Sequence, residues 1–203
     1  MIAIIDYGVG NLFSVKKALA ALGADVCVSS NAEEILVADK VVLPGVGAFG
    51  DCMKNLEASG LIPAVREAVD KSIPLLGICV GLQILFEGSE ESPGVRGLGV
   101  LKGTVRKIQA DGLKVPHMGW NSLEVVKPRR SLDLFEGLSE KPYVYFVHSY
   151  HAVPDNPSII TSYTDYGSRL TASIASGDIQ ATQFHPEKSG DVGLQILKNF
   201  VKG

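Results

Sequence analysis

The 203-residue sequence is short of cysteine, of charge blocks and of long apolar runs, and each shortage excludes something. Three cysteines, Cys27, Cys52 and Cys79, are an odd number without metal-ligand spacing. That speaks against a disulfide framework and a metal centre, and for a reducing, cytoplasmic setting. A formal charge of −3, with no basic block and no acidic tail, makes nucleic acid and anionic membrane poor partners. No apolar stretch reaches the length needed to span a bilayer. A strand is expected from Ile2 onwards, which leaves no room for a signal or transit segment. Gly8-Val9-Gly10 lacks the third glycine of a dinucleotide fingerprint, and there is no P-loop lysine. Without repeats, low-complexity tracts or linkers, one domain over residues 1–203 is expected.

What is present is a hydrophobic fraction of 46% arranged in short runs. Ile2–Asp6 reads as a buried strand, Ser14–Leu22 as an amphipathic helix stopped by Gly23, and Val26–Val28 and Lys40–Leu43 as further strands. Helical segments follow at Met53–Ala58 and Leu61–Lys71. Strands alternating with helices at this spacing predict a doubly wound, mostly parallel sheet flanked by helices. Beyond residue 97 the texture becomes strand-rich. Candidate strands lie at Val100–Ile108, Ser122–Val126, Tyr143–His151, Ile159–Tyr163, Leu170–Ala175 and Ile179–Phe184, which predicts additional antiparallel pairing. A helix over Val192–Val201 closes the chain.

Chemistry concentrates around Pro74–Phe86. A short apolar run rises to Gly77-Ile78-Cys79-Val80-Gly81, and an amphipathic helix is expected to follow. Glycines two residues either side of a nucleophile let strand and helix approach closely, the logic of a nucleophile elbow with Cys in place of Ser. A thiol at a helix N-terminus would be favoured as thiolate. Taken alone, this motif leaves nucleophile and buried core thiol equally open. Cys27, between Val26 and Val28, reads as a small hydrophobe, and Cys52 as a structural thiol near a helix start.

A thiol nucleophile needs a base. His117 and His151 sit in turn-like surroundings and read as solvated or structural, and His148 as a hydrogen-bonded strand histidine. His185 ends a strand in Gln183-Phe184-His185-Pro186-Glu187-Lys188. In an extended segment His185 and Glu187 point the same way, so the carboxylate can hold the imidazole, unless the pair is a surface salt bridge. Oxyanion donors are available from Val80 N–H and from Pro44-Gly45-Val46-Gly47, although that loop alone is an ordinary strand-to-helix turn.

Gly77-Ile78-Cys79-Val80-Gly81-x-Gln83 together with Phe184-His185-Pro186-Glu187 resembles the class I (triad) glutamine amidotransferases, which implies a flavodoxin-like core. Pro44–Gly50, Pro116–Asn121 and Tyr145–Tyr150 resemble, within that family, the glutaminase subunits of imidazole glycerol phosphate synthases. The resemblance implies Cys79 as nucleophile, His185 as proton carrier and Glu187 as its orienting carboxylate. It also implies an oxyanion hole from Val46, Gly47 and Val80, and glutamine contacts from Gln83, Glu91, Ser149 and Tyr150. No cofactor or metal is implied. Ammonia protonated in bulk water is no longer a nucleophile, so a second chain must dock over the site and receive it. The resemblance makes that chain a (β/α)₈-barrel cyclase in a heterodimer, contacted by Asn11, Met118, Trp120, Tyr145 and Lys188. A flip of the Gly45–Val46 peptide, completing the oxyanion hole only when the partner is liganded, is a further expectation. The rivals are a triad glutaminase serving pyridoxal phosphate synthesis, a cysteine hydrolase on the same scaffold, and a catalytically silent binding module.

Overall fold

The computed structural model describes residues 1–126 and 133–203. The first half alternates strand and helix, as its apolar periodicity predicts. Its elements are β1 (Ile2–Ile5), α1 (Leu12–Ala21), β2 (Val26–Ser29), α2 (Ala32–Leu36), β3 (Lys40–Gly45), α3 (Phe49–Ala58), α4 (Ile62–Asp70), β4 (Leu75–Cys79) and α5 (Val80–Gln83). The second half is mostly strands: β5 (Gly103–Lys107), β6 (His117–Ser122), β7 (Glu124–Val125), β8 (Tyr143–His148), β9 (Tyr150–Pro154), β10 (Ile160–Asp165), β11 (Arg169–Ser176) and β12 (Ile179–Thr182). The long helix α6 (Gly190–Lys202) follows.

Among the described residues the main sheet runs β2-β1-β3-β4-β12-β11-β10-β7. The five strands from β2 to β12 are mutually parallel, and β11, β10 and β7 extend the sheet antiparallel. The fold class expected from the sequence is therefore observed. Strands β1, β3 and β4 are apolar on both faces and buried throughout except at Lys40, as strands covered by helices on each side must be. Two ribbons, β5-β9 and β6-β8, stand outside the main sheet.

Several elements differ from the sequence expectation. The helix after Cys79 is a single turn, not a long amphipathic one. Residues 80–86 are buried on every side. The carbonyls that would extend the helix are taken by another segment, with Leu98 N donating to Ile84 O at 2.8 Å and Leu101 N to Leu85 O at 3.0 Å. The expected strand Tyr143–His151 is two strands with different partners, β8 on β6 and β9 on β5, meeting at Ser149. His117, whose surroundings read as turn-like, begins a strand, β6, and the strand expected from Ser122 to Val126 is divided between the end of β6 and β7. The short helix α2 was not foreseen, although Asn31 caps it by accepting the Glu33 N–H at 2.8 Å.

The decisive local packing is between the β4–α5 turn and β3. A Cβ on Gly81 would lie 1.9 Å from the Leu43 carbonyl oxygen, and a Cβ on Gly45 would lie 2.6 Å from Gly81 N. The two backbones are in direct contact, and no side chain fits between them. Gly81→Ala is expected to lower the melting temperature by roughly 5–10 °C, the effect of about 2–3 kcal/mol in a chain of this size. Gly60→Ala, where φ is +72° but nothing lies within 4 Å, should cost about 1 kcal/mol. Equal shifts for the two variants in a thermal melt would show that close approach is not what Gly81 provides.

Candidate active site

Three parallel strand ends meet at the site. Cys79 ends β4, the Gly45–Gly47 loop leaves β3, and His185 follows β12 by three residues. The register pairs Gly45 with Cys79 and Thr182 with Ile78, so these ends lie side by side on the carboxyl edge of the sheet. This is where open parallel sheets place their sites. Cys79 has φ +56° and ψ −111°, a conformation disfavoured for any residue with a side chain, at a cost of about 1–3 kcal/mol. The Gly81–Leu43 contact imposes that bend and lifts the thiol out of the strand.

The sulfur opens into a cavity of about 430 Å³. Its walls include every expected oxyanion residue (Val46, Gly47, Val80) and every expected glutamine contact (Gln83, Glu91, Ser149, Tyr150), with His185 and Lys188. His185 Nδ1–H donates to Glu187 Oε1 at 2.8 Å, and both side chains are buried, at 2% and 0% exposure. A surface salt bridge is thereby excluded. The pair is not brought together by an extended strand. Residues Pro186–Lys188 form a 3₁₀ turn, and that turn folds the carboxylate back onto the ring. Ser189 fixes the turn by donating its hydroxyl to His185 O at 2.6 Å and accepting the Tyr145 N–H at 3.0 Å. Asn11 Nδ2 approaches Glu187 Oε1 at 3.4 Å.

Burial alone would lower the His185 pKa. The neighbouring Cys79 sulfur and the Glu187 carboxylate outweigh it and raise the value to about 10. The ring therefore holds its proton readily, and its Nε2 has no hydrogen-bond partner among the described residues. A one-turn helix carries little of a macrodipole, so the charge environment of the thiol rests on His185 rather than on α5.

Sequence reasoning missed Gln183. It is fully buried, donates from Nε2 towards Cys79 Sγ at 3.7 Å, and accepts from Gln83 Nε2 at 3.0 Å. Gln83 also reaches the Tyr150 carbonyl at 3.1 Å, so two amides tie the sulfur to the opposite wall. The signal was the period of two: Gln183 and His185 share a face, while Phe184 between them goes to the core. Cys52 is not activated. Burial raises its pKa to about 11, and its thiol donates to Val46 O at 3.3 Å under the oxyanion loop.

His148 is the hydrogen-bonded strand histidine expected, and His117, expected as solvated or structural, is a buried structural one. His117 is 2% and His148 6% exposed. His148 Nδ1–H donates to the Tyr150 carbonyl at 2.9 Å, because a carbonyl can only accept. His148 Nε2 must then accept from His117 Nδ1–H at 3.0 Å, and His117 Nε2 from Asn121 Nδ2 at 3.2 Å. An added proton anywhere in this chain would set two donors facing each other. Burial accordingly depresses the values to about 4 for His117 and about 3 for His148.

On β6, Met118 is 62% and Trp120 56% exposed, and Trp120 meets Tyr145 edge-on at 6.2 Å. Lys188 is exposed beside them.

Residues 3–203 match the family described as "Glutamine amidotransferase class-I". A protein of Moorella thermoacetica named "Imidazole glycerol phosphate synthase subunit HisH" is 51% identical, over 98% of this chain and 93% of its own length. One of the same name from Methanocaldococcus jannaschii is 50% identical over 100% and 99%. Among solved structures, "Crystal structure of glutamine amidotransferase" aligns with a TM-score of 0.77 at 22% identity over the full length of both chains. "Structure of PurLQS from Thermotoga maritima" aligns at 0.74 and 18%, over 99% of this chain and 97% of that one. These structural likenesses concern the fold.

The depressed histidine values carry a sign. Between pH 6.5 and about 4 the unfolded chain binds protons that the folded array refuses, so stability is full above pH 6.5 and falls as the medium is acidified. Urea unfolding across this range should show the decline. In His117→Gln, which has no proton to take up, the slope should shrink by up to about 1.4 kcal/mol per pH unit. An unchanged slope would mean that His117 titrates alike in both states.

Proposed function

The chain belongs to the class I glutamine amidotransferases, and we propose that it is the glutaminase subunit of an imidazole glycerol phosphate synthase. The observation that carries the reading is the joint position of Cys79, His185 and the glycine loop around one cavity, in a chain half identical to proteins of that name. On this reading Cys79 attacks the side-chain carboxamide of L-glutamine. The oxygen becomes an oxyanion received by backbone N–H groups of Val46 or Gly47 and of Val80. His185, oriented by Glu187, passes a proton to the departing nitrogen, and the C–N bond breaks to release ammonia and leave a Cys79 glutamyl thioester. Water, activated by His185, then cleaves the thioester to glutamate and regenerates the thiol. The cavity is large enough for one glutamine. The Glu91 carboxylate faces the substrate's ammonium, and the Ser149–Tyr150 backbone its carboxylate.

The ammonia goes to a partner. A separate cyclase, a (β/α)₈ barrel forming a heterodimer with this chain, would cover the cavity mouth over Met118, Trp120, Tyr145, Asn11 and Lys188. It would use the ammonia to convert its phosphoribulosyl-formimino carboxamide ribotide substrate. The products are imidazole glycerol phosphate and aminoimidazole carboxamide ribotide, a lyase step in histidine biosynthesis. The setting is cytoplasmic, and residues 1–203 act as one glutaminase domain. Support for this lies in the free cysteines and in the absence, among the described residues, of any helix long and apolar enough to cross a membrane.

Glutamate release from glutamine, assayed with and without a candidate cyclase and its ligand, tests the reading. The expected result is slow turnover alone and a rise of at least tenfold in the liganded complex. Cys79→Ala should abolish turnover, by about 10³-fold or more, with the fold intact. Activation by a pyridoxal phosphate synthase subunit instead, or hydrolysis of esters or peptides but not glutamine, would replace this function with one of its rivals.

A further inference from the structure

The helix α3 begins where the oxyanion loop ends, and it begins badly. Ala48 occupies the cap position and has no side chain able to accept a hydrogen bond. The first N–H groups of a helix have no partner within it and need one from elsewhere. Here another segment supplies both. Glu91 Oε2 accepts the Phe49 N–H at 2.8 Å, and Ser92 Oγ accepts the Gly50 N–H at 3.0 Å. Gly50 lies so close to Ser92 that a Cβ there would sit 2.7 Å from the hydroxyl, so the two segments are in firm contact. Ser89 Oγ in turn accepts the Glu91 N–H at 3.1 Å and shapes the turn that presents the carboxylate.

Glu91 is at the same time a wall of the cavity that holds Cys79. Its Oε1 has no hydrogen-bond partner among the described residues. One carboxylate thus faces two ways: Oε2 towards the start of α3, two residues beyond Gly47, and Oε1 available to the cavity. From below, Cys52 Sγ holds Val46 O, and Tyr7 Oη donates to Pro44 O at 2.6 Å. The loop is therefore pinned on one side by buried groups that never meet substrate, and on the other by a group that does.

We infer that Glu91 couples recognition of the substrate's ammonium to the placement of the oxyanion loop, acting as a positioning residue as well as a binding one. This rests on the glutaminase reading above. A cation drawn to Oε1 fixes the carboxylate's orientation, and through Oε2 fixes Phe49 N and the end of the loop carrying Val46 and Gly47. Binding at the far end of glutamine is thereby transmitted to the place where charge develops in the transition state. A ligand contact of this kind raises kcat as well as lowering KM. A contact that only binds the ammonium changes KM alone.

The two roles separate in two variants and two substrates, all measured in the liganded complex with the cyclase. Glu91→Gln keeps an amide oxygen for the Phe49 N–H and loses the charge; Glu91→Ala loses both. With L-glutamine, Glu91→Gln should raise KM roughly tenfold or more and also lower kcat roughly tenfold, since no ammonium then fixes the amide, and Glu91→Ala should lose at least as much in both. With 5-amino-5-oxopentanoate, glutamine without its α-amino group, wild type should itself fall roughly tenfold in kcat, to about the level of Glu91→Gln on L-glutamine, since no cation reaches the carboxylate. Glu91→Ala should again be about tenfold slower in kcat than wild type on L-glutamine. Ser92→Ala, which removes the neighbouring cap and cannot touch substrate, should lower kcat on both substrates with KM held.

Equal kcat for wild type on L-glutamine and on the des-amino substrate would overturn the coupling and leave Glu91 a simple ammonium contact. So would a Ser92→Ala variant with wild-type kcat, which also covers the case of a Glu91→Ala protein that fails to fold. Absence of glutamine hydrolysis by the wild-type complex is a different failure, that of the functional reading itself.

Discussion

One backbone-to-backbone contact governs the rest of this molecule. Where β4 turns into α5, Gly81 lies against the Leu43 carbonyl of β3, with room for a hydrogen atom and nothing more. Because the turn cannot relax outward, Cys79 is held at φ +56°, and its thiol stands clear of the sheet edge instead of lying in the strand. The same wedge brings the β3 loop within reach of the sulfur, since Gly45 pairs with Cys79 in the sheet and abuts Gly81 N. Cys79 and the glycine loop after β3 are thus placed by one packing event. It is made of main chain, which cannot repack as side chains do.

Legibility in the sequence follows the range of the forces involved. The parallel half could be read directly, because apolar runs of the right length bounded by glycine are local signals. The elbow at Cys79 was visible for the same reason, and so was the partnership of His185 with Glu187. The reason given for that partnership was wrong in form: a 3₁₀ turn, not an extended strand, joins them. The length of α5 was not legible, because it is decided by Leu98 and Leu101 claiming its carbonyls from a distant segment. Strand β6 and the division at Ser149 were hidden likewise, since which strand pairs with which is a non-local choice. His117 illustrates the loss. Its neighbours Pro116 and Gly119 suggest a turn, yet it is stacked between Phe146 and Tyr166 with centroids at 4.6 and 4.1 Å.

The polar groups around the cavity are wired as amides and carbonyls more than as charges. Gln183, Gln83 and the Tyr150 carbonyl form one continuous line from the sulfur to the far wall. Amides of this kind fix distances without competing for the proton that the chemistry moves. The charged groups are few: His185 with Glu187 on one side, Glu91 on another, and Lys188 at the mouth.

The chain from Asn121 through His117 and His148 to the Tyr150 carbonyl has every hydrogen assigned by its neighbours. It is an imidazole wall with no vacancy for a proton, set within a cavity whose reaction releases a base. In electrical terms that wall is an insulator: His148 reaches the cavity, yet its ring can neither take a proton from it nor give one up, because each of its hydrogens is already spoken for.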